Sequence, residues 1–207
     1  MVRRGSEVRE HVMAERAELV ALLRTLSPED WQTPSLCAGW RVRDVVAHIA
    51  LDTVPPVTYL RTVARHPSPD RANAQFVDSF RDVAPDELVD RIEESAATSW
   101  FTRFAPRIAL ADHLVHHQDI RRPLGRPRPI APDRLRHVLS HPDPFAFPRR
   151  YTKGLRFVAT DVDWASGSGP DVRGPGEALA LAVVGRPVVL DELTGDGVAT
   201  LRARMIR

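Results

Sequence analysis

A stripe of polar side chains runs along the apolar face of one predicted helix, over residues 106–122. At about 100° per residue, Asp112, His116 and Asp119 fall within an arc of about 60°. Apolar residues flank the arc on both sides, so the stripe lies in the middle of the face that should be buried. Burying a carboxylate or an imidazole without a partner is costly, so such groups are normally paired or bound to a metal. The stripe therefore predicts that this helix forms part of a site inside a helical bundle.

Apolar residues three and four positions apart predict further helices before residue 145. Ser27 followed by Pro28 and acidic residues is a typical helix start. Proline and glycine residues separate the helices and mark the loops. The predicted helices cover residues 6–26, 42–53, 57–65, 71–83, 85–99, 106–122 and 132–140.

The pattern changes after Pro148. Residues 155–163 alternate apolar and polar side chains, which predicts a strand, and Val172 and Arg173 are expected in a partner strand. Helices are predicted again over residues 175–184 and 195–205. We therefore expect a mainly α protein with two domains, which are a metal-binding helical bundle in residues 1–145 and a small α+β domain in residues 146–207.

Charge and cysteine content exclude several classes of protein. The formal net charge is +2 and no run of like charges occurs, which argues against nucleic-acid binding. The single cysteine, Cys37, excludes an intrachain disulfide and a cysteine-based zinc site. No signal-peptide core and no apolar run of about 20 residues are present, so no membrane association is predicted. A cytoplasmic protein, either monomer or homodimer, is expected.

The helix predicted over residues 42–53 offers a histidine to the same site. His48 lies at the edge of an apolar face, with Asp44 one turn before it and Asp52 one turn after it. Bundles build metal sites from side chains on facing helices, and two histidines with one carboxylate form a usual catalytic metal set. The candidate ligands are His48, Asp112 and His116. Asp44, Asp52 and Asp119 are candidates for carboxylates that fix the imidazole tautomers.

Other interpretations of these residues remain open. His48 and His116 can each be core histidines that only make hydrogen bonds. His113 and His117 are also one turn apart but are expected at the boundary of the buried face or in solvent, although His113 can supply an extra ligand. Cys37 has no activating base nearby in sequence, so a packed loop thiol is expected there.

Three stretches together resemble one known family. Residues 34–49 (PSLCAGWRVRDVVAHI) resemble the start of the second helix in the mycothiol-dependent maleylpyruvate isomerase family, which belongs to the DinB-like four-helix bundles. Residues 116–125 (HHQDIRRPLG) resemble the second metal motif of that family. Residues 155–201 are similar to its small C-terminal domain.

The resemblance implies a divalent metal, most simply zinc, held by His48, Asp112 and His116. It also implies mycothiol as the cofactor. The best-known member of the family has Glu at the position of Asp112, and a Gly is expected where this chain has His117. Both departures concern the identity of the substrate more than metal binding.

The chemistry implied by the resemblance begins with a metal-stabilised thiolate. In the prototype, this thiolate adds to a conjugated double bond, the resulting single bond rotates, and elimination releases the trans product; relatives transfer the thiol to other electrophiles. The partners are therefore a small-molecule thiol and an electrophilic substrate. Asp119 or His113 is the predicted general base, and four arginines are predicted to bind anionic groups of the cofactor. They are Arg121, Arg122, Arg173 and Arg186.

Two functions without catalysis are the alternatives. The same bundle can be a metal- or ligand-binding regulator, and recruitment of His113 to close the coordination sphere would favour that function. The chain can also be a structural interaction protein whose histidine-rich helix packs against a partner.

Overall fold

The structure is a computed structural model that describes residues 2–66, 68–96 and 98–206. The chain divides into two compact units, Met1–Pro127 and Arg128–Arg207. The boundary differs from the predicted one near residue 145. The helix Pro132–Ser140 belongs to the second unit, because it packs against the helix Gly176–Val183 of that unit.

The first unit consists of α-helices joined by short loops. They are α1 (Val2–Leu23), α2 (Pro28–Gln32), α3 (Val42–Ile49), α4 (Pro56–Arg65), α5 (Pro69–Ser79), α6 (Pro85–Glu94), α7 (Trp100–Phe104) and α8 (Pro106–Arg121). No helix among the described residues is both long and apolar enough to cross a membrane.

Four of these helices form the bundle. α1 packs against α6 and α8, and α3 packs against the same two helices, so the four surround one core. α1, α3 and α6 contribute apolar residues at helical spacing, as the sequence pattern predicts, and α8 contributes Ile120. Residues of this core include Leu19, Leu23, Val45, Val46, Ile49, Leu88, Val89, Ile92 and Ile120.

Local sequence explains where several helices begin and end. Ser27 accepts a hydrogen bond from the Asp30 backbone N–H, and the Asp30 carboxylate accepts one from the Ser27 N–H, which starts α2 as predicted. α3 is shorter than the predicted helix 42–53, because Ala50–Thr53 winds as a 3₁₀ turn. α8 ends at Arg121, and Gly125 follows with the positive φ of 63° that glycine adopts readily.

The second unit combines helices with a small sheet. Its elements are α9 (Pro132–Ser140), α10 (Arg149–Thr152), α11 (Gly176–Val183), α12 (Val198–Met205), β1 (Arg156–Ala159), β2 (Ala165–Gly167) and β3 (Asp171–Gly174).

β1 is the central strand of this sheet. It pairs antiparallel with β2 and parallel with β3, so the strand order is β2-β1-β3. The sequence pattern predicted β1 and β3 but not β2, because Ala165, Ser166 and Gly167 are small, exposed residues that show no alternation. The predicted fold class, a mainly α bundle followed by a small α+β unit, is confirmed.

Candidate metal centre

The packing of α3 against α8 brings three predicted ligands together. The Asp112 Oδ1 atom lies 3.5 Å from the His48 Nε2 atom and 3.4 Å from the His116 Nε2 atom. Ligand atoms about 2.0–2.1 Å from a tetrahedral zinc ion lie about 3.3–3.4 Å apart. The observed spacing therefore fits one ion held between the three side chains.

The three side chains are partly accessible. The exposed fraction is 13% for the side chain of His48, 12% for that of His116 and 19% for that of Asp112. Trp40 lies next to His48, with 5.4 Å between the two ring centroids, and packs against that side of the imidazole. The cluster is thus shielded but can still be reached by a small ligand.

The electrostatics of the cluster favour a positive charge between these groups. Burial alone would raise the pKa of Asp112, but the charge and hydrogen bonding of His116 and His48 hold this pKa well below its usual range. Burial alone would lower the pKa of His116, but Asp112, Cys37 and Asp119 raise it well above its usual value. The donor set therefore fits a divalent cation, although metal binding itself stays a prediction.

Asp119 fixes the orientation of His116. The Nδ1–H group of His116 donates to Asp119 Oδ2 over 2.9 Å, and the Asp119 side chain is completely buried. With the proton on Nδ1, the lone pair of Nε2 faces Asp112 and His48. This arrangement is the carboxylate–histidine pairing that supports metal ligands in many proteins.

Cys37 lies beside the same carboxylate, which the sequence did not indicate. Its thiol donates to Asp119 Oδ2 over 3.1 Å, and its Sγ atom is 3.6 Å from His116 Nδ1. The loop that carries Cys37 is tied to α8 by a hydrogen bond from the Leu36 N–H to the Asp119 carbonyl oxygen, 3.1 Å long. Cys37 is 79 residues from His116 in the chain, so helical spacing contains no signal for this contact.

The prediction that Asp44 and Asp52 fix a ligand imidazole is wrong. Asp44 accepts a hydrogen bond from the Arg41 N–H and caps α3. Asp52 lies in the 3₁₀ turn, where it forms an ion pair of 3.2 Å with the buried Arg16 on α1. Among the described residues, no group forms a hydrogen bond with His48 Nδ1.

The prediction that His113 and His117 lie at the boundary or in solvent is also wrong. Their exposed fractions are 1% and 0%. They face α1, whose sequence places Glu15 and Arg16 between apolar residues of its buried face. Val12 and Leu19 stand three or four positions from these two residues, and that spacing is a signal that could have revealed the buried charges.

His113 is held by contacts outside the ligand cluster. Its Nδ1–H group donates to the Ala109 carbonyl oxygen over 2.6 Å, and its Nε2 atom lies 3.7 Å from Asp52 Oδ2. Burial, together with the positive charge of Arg16, lowers the pKa of His113. The nitrogen atoms of His113 therefore do not join the three ligand atoms, and its role as a general base stays a prediction.

His117 belongs to a buried polar chain. Its Nδ1–H group donates to Glu15 Oε1 over 2.7 Å, and its Nε2 atom accepts a hydrogen bond of 2.8 Å from the Nε–H group of Arg121. Glu15 is fully buried as well. The predicted cofactor-binding residue Arg121 is thus oriented from behind by Glu15 and His117.

The other predicted arginines lie in different parts of the chain. Arg122 is half-buried in the first unit, at the C-terminal end of α8. In the second unit, Arg173 is exposed on β3 and pairs with Asp171 over 3.1 Å, and Arg186 is half-buried. Their binding to the cofactor, like that of Arg121, stays a prediction.

A cleft of about 520 Å³ opens in the first unit beside the 3₁₀ turn that carries Asp52. Asp52, Arg91, Glu94 and Trp100 contribute to its lining. His113 lies 3.7 Å from the carboxylate of Asp52, which lines the cleft, and 3.9 Å from the carboxylate of Asp112, which belongs to the ligand cluster.

Comparisons with known proteins agree with this architecture. Residues 12–68 match the model of the family described as Mycothiol maleylpyruvate isomerase N-terminal domain. Among solved structures, the chain is similar to the mycothiol-dependent maleylpyruvate isomerase, with 14% identity, a TM-score of 0.57 and coverage of 93% of this chain and 92% of that chain.

A mutant of that isomerase, with histidine replaced by alanine, gives 15% identity, a TM-score of 0.56 and the same coverage. None of the curated proteins matches the sequence. At such low identity the structural match establishes the shared fold. The family match over residues 12–68 and the shared fold agree with the resemblance seen in the sequence.

Proposed function

We propose that this protein is a metal-dependent enzyme, with zinc as the metal and mycothiol as the thiol cofactor or co-substrate. Its reaction is an isomerisation like that of maleylpyruvate isomerase, or the transfer of the thiol to another electrophile. The observation that carries the proposal is the convergence of His48, Asp112 and His116 at the spacing of metal ligands. The cytoplasmic location expected from the sequence remains part of the proposal.

The coordination sphere favours catalysis over a closed structural or regulatory site. Three protein ligands leave a tetrahedral ion with one open position, which is where catalytic zinc sites bind their reactants. His113 is the nearest further histidine on α8, and its two ring nitrogens are directed at Ala109 and Asp52 instead. It is therefore not available to close the site without turning its ring.

The choice of thiol rests on the comparisons. The matching family and both similar structures are named for mycothiol and maleylpyruvate. A divalent metal in this site would stabilise the thiolate form of a sulfur ligand at neutral pH. Asp112 is one methylene shorter than the Glu of the best-known relative, so we expect a slightly roomier site.

The residues of the chain have separate tasks in this proposal. Asp119 keeps the proton of His116 on Nδ1, so that Nε2 is ready to bind the cation. The His117 ring, itself bonded to Glu15, accepts a hydrogen bond from the Nε–H group of Arg121. This buried chain fixes the orientation of the guanidinium group. We assign Asp119 a positioning task, because its Oδ2 atom already accepts from His116 and Cys37.

Elemental analysis of protein purified without a histidine tag tests the metal site. We expect about one zinc per chain in the wild type, because a site of this kind binds a single ion. We expect none in His48→Ala and His116→Ala, and full content in the control His66→Ala, which changes a histidine at the end of α4. No metal in the wild type, even after reconstitution, would overturn the proposal.

Activity assays then separate the enzyme from a regulator. The zinc-loaded protein should isomerise maleylpyruvate, or consume mycothiol in the presence of electrophiles, and His116→Ala should not. Stoichiometric zinc without turnover on any electrophile in the panel would instead favour a metal-binding regulator.

A further inference from the structure

A second set of possible metal ligands shares His116 with the proposed centre. The Cys37 Sγ, Asp119 Oδ2 and His116 Nδ1 atoms lie within 4.8 Å of one another, on the opposite edge of the imidazole from His48 and Asp112. We propose that these three side chains form a second metal site, selective for thiophilic cations such as Cd²⁺, that competes with the first site for His116. The second site goes beyond the proposed function and does not need it to be correct, whereas the competition for His116 rests on the zinc site of the proposed function.

The distances fit a metal ion. In tetrahedral zinc sites, metal–sulfur bonds of about 2.3 Å and metal–nitrogen and metal–oxygen bonds of about 2.0 Å separate sulfur from the other ligands by about 3.5 Å, and nitrogen from oxygen by about 3.3 Å. The larger Cd²⁺ ion needs slightly wider separations. The observed separations are 3.6 Å for Sγ to Nδ1, 3.1 Å for Sγ to Oδ2 and 2.9 Å for Nδ1 to Oδ2. Small side-chain rotations therefore suffice to admit an ion.

The loop that carries Cys37 is held in place for this site. Ser35 Oγ accepts a hydrogen bond from the Cys37 N–H, and the Trp40 N–H donates to the Cys37 carbonyl oxygen. Gly39, with a φ of 79°, makes the tight turn between them possible. Together with the bond from Leu36 to Asp119, these contacts fix the thiol beside α8, and the thiol stays partly accessible.

The two sites exclude each other because a neutral imidazole has one lone pair and one N–H group. With the proton on Nδ1, His116 donates to Asp119 and offers Nε2 to the site formed with His48 and Asp112. With the proton on Nε2, it donates towards Asp112, 3.4 Å away, and offers Nδ1 to the site formed with Cys37 and Asp119. A single ring therefore serves one cation at a time.

Ligand chemistry determines which cation takes which site. The first set contains two imidazoles and a carboxylate, which suit Zn²⁺ and similar divalent ions. The second set contains a thiolate, which selects soft cations. Binding there displaces the thiol proton to the solvent, and no oxidant or reductant is involved.

Titration of the metal-free protein with Cd²⁺ tests the second site. We expect an ultraviolet charge-transfer band from the thiolate–cadmium bond that saturates at one equivalent. The band should be lost in Cys37→Ser, whose hydroxyl can still donate to Asp119, and in Asp119→Asn. It should persist in His48→Ala, which removes a ligand of the first site only.

Addition of Cd²⁺ to the zinc-loaded protein tests the competition. Elemental analysis after buffer exchange should show one cadmium gained for each zinc lost in the wild type, and retention of zinc in Cys37→Ser. Simultaneous retention of both metals would overturn the competition. Absence of the band in the wild type, or its persistence in Asp119→Asn, would overturn the site.

Circular dichroism spectra of the variants serve as the control that each one is folded. Failure of the proposed function remains distinguishable, because it appears as absence of zinc or turnover in the wild type, whereas the existence of the second site is tested by the cadmium band in metal-free protein.

Discussion

The hydrogen-bonded pair of Glu15 and His117 should contribute strongly to the stability of the bundle. Neither side chain has any exposed surface, and the Glu15 Oε1 atom lies 2.7 Å from His117 Nδ1. Replacing Glu15 by alanine leaves the Nδ1–H group of His117 without its acceptor and leaves the positive charge of Arg121 less compensated. It also opens a space in the core of the bundle.

The magnitude follows from the burial of both groups. Leaving a buried donor unsatisfied costs about 1–3 kcal/mol. Glu15 is also the buried countercharge of Arg121 through the neutral His117 ring, and removing one partner of a buried ion pair costs about 3–5 kcal/mol. Because solvent does not screen these side chains, we expect Glu15→Ala to lower the free energy of unfolding by about 3–5 kcal/mol. Glu15→Gln keeps a neutral acceptor of similar shape and should cost only about 1 kcal/mol.

Urea unfolding followed by tryptophan fluorescence can measure this difference. Trp31, Trp40 and Trp100 lie in the first unit and Trp164 in the second, so a Trp164→Phe background makes the signal specific for the bundle. Asp90→Ala is the matched control, because Asp90 pairs with Arg24 on the surface and exposed pairs contribute about 0–1 kcal/mol. A loss for Glu15→Ala no greater than that for Asp90→Ala would refute the reasoning.

Further predictions concern the proposed metal centre. Zinc at about 100 times its dissociation constant should stabilise the native protein by about 2.7 kcal/mol in calorimetry, and Asp112→Asn should abolish this gain; equal gains in both proteins would contradict the ligand role of Asp112. Asp119→Asn should weaken zinc binding by about 10- to 100-fold in competition with a chromophoric chelator, and an unchanged affinity would argue against its positioning role. In the presence of chelator, the lowered pKa of Asp112 contributes stability above about pH 4, and this stability is lost as the pH falls through the pKa of Asp112 in the folded state. The raised pKa of His116 contributes stability below about pH 6.5, and this stability is lost as the pH rises through the pKa of His116 in the folded state. Unfolding at several pH values should therefore show a pH-dependent difference between wild type and Asp112→Asn that is largest between these limits, and a constant difference would contradict the coupling.

The sequence was sufficient to predict features that depend on helical spacing. Asp112 and His116 are one turn apart, and His48 lies on the buried side of another amphipathic helix, so their convergence needed only that α3 and α8 face each other. The helix Pro132–Ser140 was predicted with the observed bounds, because proline and the apolar pattern mark it clearly. Its place in the second unit depends on packing against α11, which no local pattern encodes.

The sequence was insufficient where a contact joins distant segments. The environment of His117 is determined by Glu15, 102 residues earlier, and that of Cys37 by Asp119, 82 residues later. His113 and His117 were therefore assigned to the boundary of the helix face, although charged groups on α1 allow both to be buried. Only the position of Glu15 within the apolar face of α1 hints at such a partner.

The change from α-helix to 3₁₀ turn at Ala50 affects the charge balance of the metal centre. A 3₁₀ turn advances about 120° per residue instead of about 100°, so three residues of it rotate Asp52 by about 60° relative to a continued α-helix. Asp52 thereby pairs with Arg16 and does not add a second carboxylate beside His48. A divalent ion held by His48, Asp112 and His116 would keep one net positive charge, whereas a second carboxylate would neutralise it. The 3₁₀ winding of these four residues would thus preserve the Lewis acidity of an ion bound at the proposed site.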